Sequence, residues 1–446
     1  MNILLVNPPR SPENAILAHA PEAAKPFVHK KLVGPPLGLL TVASAVREHN
    51  VTVLDMKAEY DLNRQETRPE ELVRKYCNDT KPDIVGITCI ASEFPFCTRI
   101  LAAVKQWKAD VLTVAGGLHA SLCPQDFKGT AADIVAVGQA GHAFREIVSA
   151  KAASGDYRNV AGIFINTAEG FTCSAAAPLL RDYGKDGYIL PDRSYIRKWL
   201  HAYRLPHNDR NITYVNTSLG CPFKCSFCSI WPQWDGRYFL RDIDAIIAEL
   251  RTLSDYPVVR FADANSVIDE EYSARLFSRI VEERLNKEFV MDIRADTAAK
   301  NPKLIEQMAR AGLKVVICGF ESFRQSELAL YNKRLDASLI KKAISVFHDN
   351  GISVRGNYVV PPDYTDKDFD ALADYASSQR VTYAGYTILT PMPGTKLFDD
   401  LKKDIIDFDL AKYNFFNCVL KTKLPLDKFH EKVGGLWVIK KGDEVI

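Results

Sequence analysis

The sequence predicts an α/β protein with two parallel sheets. A doubly wound sheet domain spans residues 1–151 and a partial (βα)6 barrel spans 206–400; a connector with a hairpin (152–205) joins them, and a small extension (401–446) follows. Three observations carry this. A chain of 446 residues has room for two or three domains. Apolar runs of strand length alternate with amphipathic stretches of helix length in two separate series. Runs such as Ile84-Val85-Gly86-Ile87-Thr88-Cys89-Ile90 are apolar almost throughout, as strands covered on both faces must be.

In the first series the strand candidates are Ile3–Asn7, Val51–Asp55, Asp83–Ile90, Val111–Gly117 and Asp133–Gly138. The helix candidates are Leu37–His49, Pro69–Asn78, Phe96–Ala109 and Gly141–Ala150. Right-handed crossovers place a ligand crevice at the strand carboxyl ends. The loops there read Asn7-Pro8-Pro9-Arg10, Cys89-Ile90-Ala91-Ser92-Glu93, Gly116-Gly117-Leu118-His119-Ala120-Ser121 and Gly138-Gln139-Ala140-Gly141-His142. Paired glycines let backbone approach a ligand, although a glycine after a strand also simply makes the turn. No G-x-G-x-x-G follows the first strand, so the nicotinamide or flavin fingerprint is absent. In the connector, Val160–Asn166 and Phe171–Ser174 flank Ala168-Glu169-Gly170, a hairpin signal.

The second series has strand candidates Ile212–Asn216, Pro257–Ala262, Phe289–Ile293, Lys314–Gly319, Ile352–Val360 and Tyr383–Leu389. Its helix candidates are Asp242–Leu253, Asp269–Asn286, Pro302–Ala311, Ser338–Asn350, Asp366–Ser378 and Thr395–Lys403. Asn301-Pro302 reads as an N-cap with first-turn proline, and Gly312 and Gly351 stand where C-terminal glycines belong. Six βα units make three quarters of a barrel, and barrels place their chemistry at strand carboxyl ends.

Composition narrows the function. With 57 Lys+Arg against 55 Asp+Glu the net charge is +2, which does not support a nucleic-acid binder. No apolar run approaches the roughly 20 residues of a membrane span, and the N-terminus has no basic start of a signal peptide. A cytoplasmic location is the expectation. Of the ten cysteines, Cys221, Cys225 and Cys228 are tightly clustered, which in a reducing compartment points to a metal site. They follow the first strand of the second series in the loop Gly220-Cys221-Pro222-Phe223-Lys224-Cys225-Ser226-Phe227-Cys228. Three thiolates on one short loop can converge on a [4Fe–4S] cluster, which normally takes four protein ligands, so one iron stays open. The competing reading is structural zinc, which needs a closed fourth ligand such as Cys318 or His201, neither of them at motif spacing.

Cys221-x3-Cys225-x2-Cys228, with Phe227 before the last cysteine, resembles the signature of radical S-adenosylmethionine (SAM) enzymes. The resemblance implies that the open iron chelates the amino and carboxylate groups of SAM, that Phe227 lies near the adenine, and that reductive cleavage yields a 5′-deoxyadenosyl radical. By the same resemblance Asp263, in Phe261-Ala262-Asp263, is a candidate for the SAM amino group. Glu321, in Gly319-Phe320-Glu321-Ser322, is one for the ribose hydroxyls, and Arg294, in Asp292-Ile293-Arg294-Ala295-Asp296, is one for a supporting polar contact. Ordinary barrel-rim charge is the alternative for each.

Asn7-Pro8-Pro9, Gly34-Pro35-Pro36-Leu37-Gly38-Leu39 and the Gly116–Ser121 segment resemble the Rossmann-like cobalamin-binding domain fused ahead of such barrels, a resemblance covering roughly residues 1–400. It implies cobalamin contacts from Pro8, Pro9, Leu37, Gly38, Ser92, Glu93, Gly116, Gly117, His119, Gly138 and Gln139, with the loop Cys89–Phe94 toward the lower face of the corrin. The motif Asp-x-His-x-x-Gly is absent, as is usual in this fused family. Gly138-Gln139-Ala140-Gly141-His142 departs from the family's frequent Gly-Glu-Gly-Glu, which bears on the contacts there. In the C-terminal half, Tyr358–Tyr364, Thr390–Thr395 and Lys421–Leu426 look most like the hopanoid C-3 methylase branch. The aromatic stretch Tyr413–Cys418 either lines an apolar pocket or seals the barrel bottom.

The resemblance implies a cobalamin-dependent radical SAM methyltransferase acting on an unactivated carbon of a small molecule or lipid. Such a carbon has no lone pair to attack SAM, so the cofactors must supply a radical route. SAM would serve both as methyl source, through methylcobalamin, and as radical source, with a reducing partner such as flavodoxin or ferredoxin. The alternatives are cyclisation, rearrangement or oxidation without methyl transfer, a sensor holding both cofactors without turnover, and a radical SAM enzyme that has lost cobalamin.

Overall fold

The computed structural model describes every residue except 29–33, 64–66, 154–155, 169, 175–186, 206–209, 380 and 439–446. Glu169 of the expected hairpin turn and the end of the C-terminal extension therefore lie outside the described residues.

The first sheet is built from β1 (Asn2–Asn7), β2 (Asn50–Asp55), β3 (Ile84–Thr88), β4 (Leu112–Gly116) and β5 (Ile134–Ala136), all parallel. The hairpin of β6 (Ile163–Thr167) and β7 (Gly170–Cys173) continues the sheet antiparallel beyond β5, giving the order β2-β1-β3-β4-β5-β6-β7. The connector thus completes the first sheet. Helices Leu37–Ala45, Pro69–Thr80, Phe94–Trp107 and Ala140–Ala153 form where the spacing predicts them. The first stops four residues short of the predicted His49, because Val46 leaves helical geometry at φ −127°. The short helix Met56–Asn63 is not anticipated by the sequence, since two turns carry too little periodicity to read.

The second sheet runs in chain order and is parallel throughout: β8 (Ile212–Val215), β11 (Val258–Phe261), β12 (Glu288–Asp292), β13 (Leu313–Glu321), β14 (Ser353–Val360) and β15 (Tyr383–Ile388). A small antiparallel pair, β9 (Ser218–Gly220) and β10 (Tyr238–Leu240), brackets the cysteine loop. The helices behind this sheet start at well-formed caps: Asp242 accepts from the Ala245 N–H, Asp269 accepts from the Tyr272 N–H, and Thr365 and Asp368 form a capping box. One face of each strand packs on the helices through Val259, Phe261, Phe289, Met291, Val316, Phe320, Val354 and Tyr358. The other face carries Val258, Val290, Val315 and Ile317 together with Tyr214.

A buried ionic knot ties the connector to the barrel. The Arg193 Nη2 lies 2.6 Å from one Glu249 oxygen, and Arg241 pairs with the other. Arg193 also donates to Thr213 Oγ1 (2.9 Å), and the Arg241 guanidinium stacks 3.5 Å above the Tyr188 ring. Glu249 and Arg241 are almost wholly buried. No helix among the described residues is long and apolar enough to cross a membrane.

Candidate functional site

The cysteine loop starts at the carboxyl end of β9. Gly220 has φ +80°, and a Cβ there would collide with the Arg237 carbonyl, so the entry to Cys221 requires glycine. The loop is then fixed by its surroundings. The Ser226 N–H donates to the Tyr331 carbonyl (2.9 Å), Trp231 Nε1 donates to the Cys225 carbonyl (2.9 Å), and Asn332 Nδ2 donates to the Lys224 carbonyl (2.7 Å). Cys221 and Cys225 are buried and Cys228 is half-buried. Burial pushes all three thiols above the ordinary thiol pKa, and Lys333 pulls against that shift at each.

Among the described residues, the set His119, Cys123 and Asp126 is the one whose His, Cys or carboxylate ligand atoms lie within 4.8 Å of one another. A structural zinc closes its shell with four ligands, whereas the loop supplies three thiolates, the number that leaves one iron of a polynuclear centre open.

Around the loop the structure brings together Arg294, Glu321 and a residue the sequence does not single out, Lys333. Its ammonium lies 2.7 Å from Glu321 Oε1, and both are buried. Burial lowers the Lys333 pKa, but the Glu321 carboxylate and the Cys225 thiol more than restore it. Arg294 donates to Asp296 and to the carbonyls of Lys333 (3.1 Å) and Arg334 (3.0 Å), and its guanidinium lies 3.9 Å from the Phe223 ring. It therefore clamps the cysteine loop to the 331–334 turn. Three non-glycine residues here sit in the left-handed region: Glu321 at φ +60°, Asn332 at +51° and Arg334 at +51°. Such conformations cost about 1–3 kcal/mol each and cluster at functional sites. Phe227 packs edge-on against Tyr331.

Asp263 is buried, and its carboxylate accepts hydrogen bonds from the Thr217 N–H (2.8 Å), Thr217 Oγ1 (2.6 Å) and the Ser218 N–H (3.0 Å). It thereby anchors the residues that lead into the cysteine loop. Burial nevertheless raises its pKa to about 6. Between the unfolded value of 3.8 and about 6 the folded state holds the extra proton, so this group's contribution to stability falls as pH rises through that window. Asp263→Asn keeps an acceptor oxygen for the two backbone N–H groups, reverses the bond to Thr217 Oγ1, and removes that dependence. Urea unfolding is expected to show the variant gaining on the wild type by roughly 2 kcal/mol between pH 4 and 7. Parallel pH profiles would contradict this.

On the first domain, a cavity of about 260 Å³ opens at the carboxyl ends of β3, β4 and β5 and runs down between the sheet and the helices Leu37–Ala45 and Ala140–Ala153. Glycines line it at Gly38, Gly86, Gly116, Gly117, Gly138 and Gly141. Gly117 has φ +94°, and a Cβ on it would press within 2.7 Å of Thr88 Oγ1. The opposite wall comes from Tyr188 and Ile189 of the connector and from Asn216, Leu219 and Trp234, the last two flanking the cysteine loop. Of the sequence's cobalamin candidates, Gly38, Gly116, Gly117, Gly138 and Gln139 line this cavity, and Leu37 adjoins Gly38. The structure does not bring Pro8, Pro9, Ser92, Glu93 or His119 to its wall. Pro8 and Pro9 are buried, as is Ser92. Glu93 is paired with Lys57 at 2.6 Å, and His119 Nε2 lies 3.0 Å from the Asp126 carboxylate. The turn Ala91–Glu93 packs beneath Tyr413 and Val419.

Two C-terminal segments prove to be junctions. The Leu397 N–H, just after Thr390–Thr395, donates to the Ser226 carbonyl of the cysteine loop (2.9 Å), while Gly394 abuts Leu122 of the first domain. The stretch Tyr413–Cys418 does not seal the barrel bottom. It joins the carboxyl end of β15, through the Ile388 N–H to Phe415 carbonyl bond, to the N-terminal segment at Ala15 and Ile16.

Comparison with known proteins agrees with this architecture. The B12 binding domain family matches residues 28–148, and the Radical SAM superfamily matches residues 215–376. The anaerobic magnesium-protoporphyrin IX monomethyl ester cyclase of Rubrivivax gelatinosus is 28% identical over 79% of this chain and 64% of its own length, so the chain spans just under two thirds of that relative. The hopanoid C-3 methylase of Methylococcus capsulatus is 23% identical over 89% of this chain and 74% of its own. Among solved structures, the radical SAM methyltransferase TsrM of Kitasatospora setae, with cobalamin and a [4Fe–4S] cluster bound, matches the fold at a TM-score of 0.68. It is 18% identical, and the match covers 90% of this chain and 74% of that one. The chain thus joins a region that matches the B12 binding domain family to one that matches the Radical SAM superfamily.

Proposed function

We propose that this chain is a cobalamin-dependent radical SAM methyltransferase that methylates an unactivated carbon of a small molecule or lipid. The observation that carries the reading is the cavity shared by the two domains: its floor is the glycine-lined end of the first sheet, and its roof is formed by residues flanking the cysteine loop. When bound, the cluster with SAM supplies a 5′-deoxyadenosyl radical, and cobalamin supplies a transferable methyl group.

The chain's own residues do the placing. Cys221, Cys225 and Cys228 would hold the cluster as its three protein ligands. Phe227, Asp263, Arg294 and Glu321 surround the place SAM would take, and Lys333 holds Glu321 in position. Absent side chains at Gly38, Gly86, Gly116, Gly117, Gly138 and Gly141 leave room for a broad, flat cofactor, and Gln139 offers a polar contact at its edge. The connector residues Tyr188 and Ile189 close the cavity against water, which protects a radical from side reactions. A flavodoxin- or ferredoxin-like reductant and a cytoplasmic setting complete the proposal.

The cyclase among the relatives supports a second reading, ring closure or oxidation without methyl transfer. Anaerobic turnover with SAM and substrate separates the two. Methyl transfer yields both S-adenosylhomocysteine and 5′-deoxyadenosine, whereas the second reading yields deoxyadenosine alone. A sensor yields neither.

The cofactor cavity can be tested without turnover. A Cβ at Gly38 meets no atom within 4 Å, and the residue is the second of its helix. Gly38→Leu is expected to leave stability unchanged or raised by up to ~1 kcal/mol, because leucine is the better helix former. The leucine side chain would occupy the cavity, so cobalt retained after reconstitution should drop at least ~10-fold. Full cobalt content in a stable variant would move cobalamin elsewhere.

A further inference from the structure

The barrel carries a feature that neither cofactor uses: a tier of polar side chains on the strand faces turned away from the helices. Strand register aligns them. Tyr214 of β8 pairs with Arg260 of β11; Asp292 of β12 pairs with Ile317 of β13; Ile317 pairs with Arg355 of β14; and Arg355 pairs with Tyr383 of β15. Side chains on this face share it with Val258, Val290, Val315 and Ile317, which close the space below.

The charges in this tier do not cancel. Asp292 is taken by Arg260, whose Nη2 lies 2.8 Å away, while Arg260 Nε is buried without a hydrogen-bond partner. Arg355 is exposed into the same space and forms neither a hydrogen bond nor an ion pair with a described residue; it sits within electrostatic reach of Arg260 and Asp292. Two guanidinium groups thus face one carboxylate, and a third guanidinium, from Arg10 of the first domain, lies within electrostatic reach of Tyr214. Gly34 abuts the Tyr214 hydroxyl so closely that no side chain fits there, so the first domain covers this end of the trough. A guanidinium that no carboxylate of the chain occupies is free to meet an incoming anion.

We infer that the substrate carries an acidic group, a carboxylate, and that Arg355 binds it in the barrel trough, beside the Arg260–Asp292 pair. The inference rests on the proposed reading of the chain as an enzyme acting on a separate substrate, and it names that substrate's class. The apolar tier of Val258, Val290, Val315 and Ile317 fits a hydrocarbon or ring body attached to the acid. Guanidinium meets a carboxylate with two parallel hydrogen bonds, a geometry that lysine cannot supply.

The test uses binding, so that it stands apart from methyl transfer. The holoprotein, reconstituted with cluster and cobalamin, is titrated with 2-naphthoate and with the neutral isostere 2-naphthamide as probes, by equilibrium dialysis. The carboxylate is expected to bind at least about tenfold more tightly than the amide. Arg355→Gln should erase the preference, Arg355→Lys should keep part of it, and iron and cobalt content should be unchanged in both. Equal binding of the two probes, no binding of naphthoate at millimolar concentration, or a preference that survives Arg355→Gln would each overturn the proposal. If the preference holds while S-adenosylhomocysteine never forms, the acid site stands and the methyltransferase reading fails.

Discussion

Replacing any one of Cys221, Cys225 and Cys228 with Ala is expected to abolish the iron–sulfur absorbance and reduce 5′-deoxyadenosine formation to background. Three thiolates are the whole protein ligand set of a cluster that normally takes four, so there is no spare ligand to compensate for one lost. The loop itself should survive. Its shape is set by Gly220, by the Ser226 to Tyr331 and Asn332 to Lys224 bonds, and by the Arg294 clamp on Phe223, none of which needs a thiol. Cys318→Ala is the control. Its thiol donates to the Ile293 carbonyl at 2.8 Å inside the helix-facing core, so the variant should keep its iron and its chemistry. Deoxyadenosine formation by the Cys225→Ala variant would refute the cluster assignment.

Glu249→Ala is expected to cost about 3–5 kcal/mol of stability, among the largest single effects in the chain, because it leaves buried charge uncompensated. Glu249 neutralises Arg193 and Arg241 at once, and Arg241 is almost wholly buried beneath Tyr188. Glu249→Gln, which keeps hydrogen-bonding capacity, should cost less. Urea unfolding of the two variants checks this, and a loss under ~1 kcal/mol for the alanine variant would reduce the knot to the weight of a surface ion pair. Because Tyr188 lines the cavity, the alanine variant should also retain cobalamin more weakly.

The sequence made the architecture legible where long periodic segments carry it. Both series of parallel strands form, and β11 to β15 lie within a few residues of their predicted bounds. Short elements such as Met56–Asn63 and Gln325–Leu330 escape, since one or two turns fix no period. The cysteines are legible because three ligands on one loop need no tertiary information. Lys333 is not, because its partner Glu321 sits at the end of β13, a helix away in the chain, and nothing in Asn332-Lys333-Arg334 signals burial. Gly86 had a signal: a glycine in the middle of an apolar strand marks close approach, and it does line the cavity. Ser92, Glu93 and His119 fall at the strand ends but outside the cavity wall, with Glu93 against Lys57 and His119 against Asp126, a distinction that loop position alone does not make. The polar tier around Arg355 was invisible for a related reason: it comes from single residues on five strands, aligned only by register.

The most direct test of the account is the iron and cobalt content per chain after anaerobic purification and reconstitution with hydroxocobalamin. The account predicts about four irons and about one cobalt in the same molecule. About four irons without cobalt would contradict it, leaving a radical SAM protein whose glycine-lined cavity serves some other ligand.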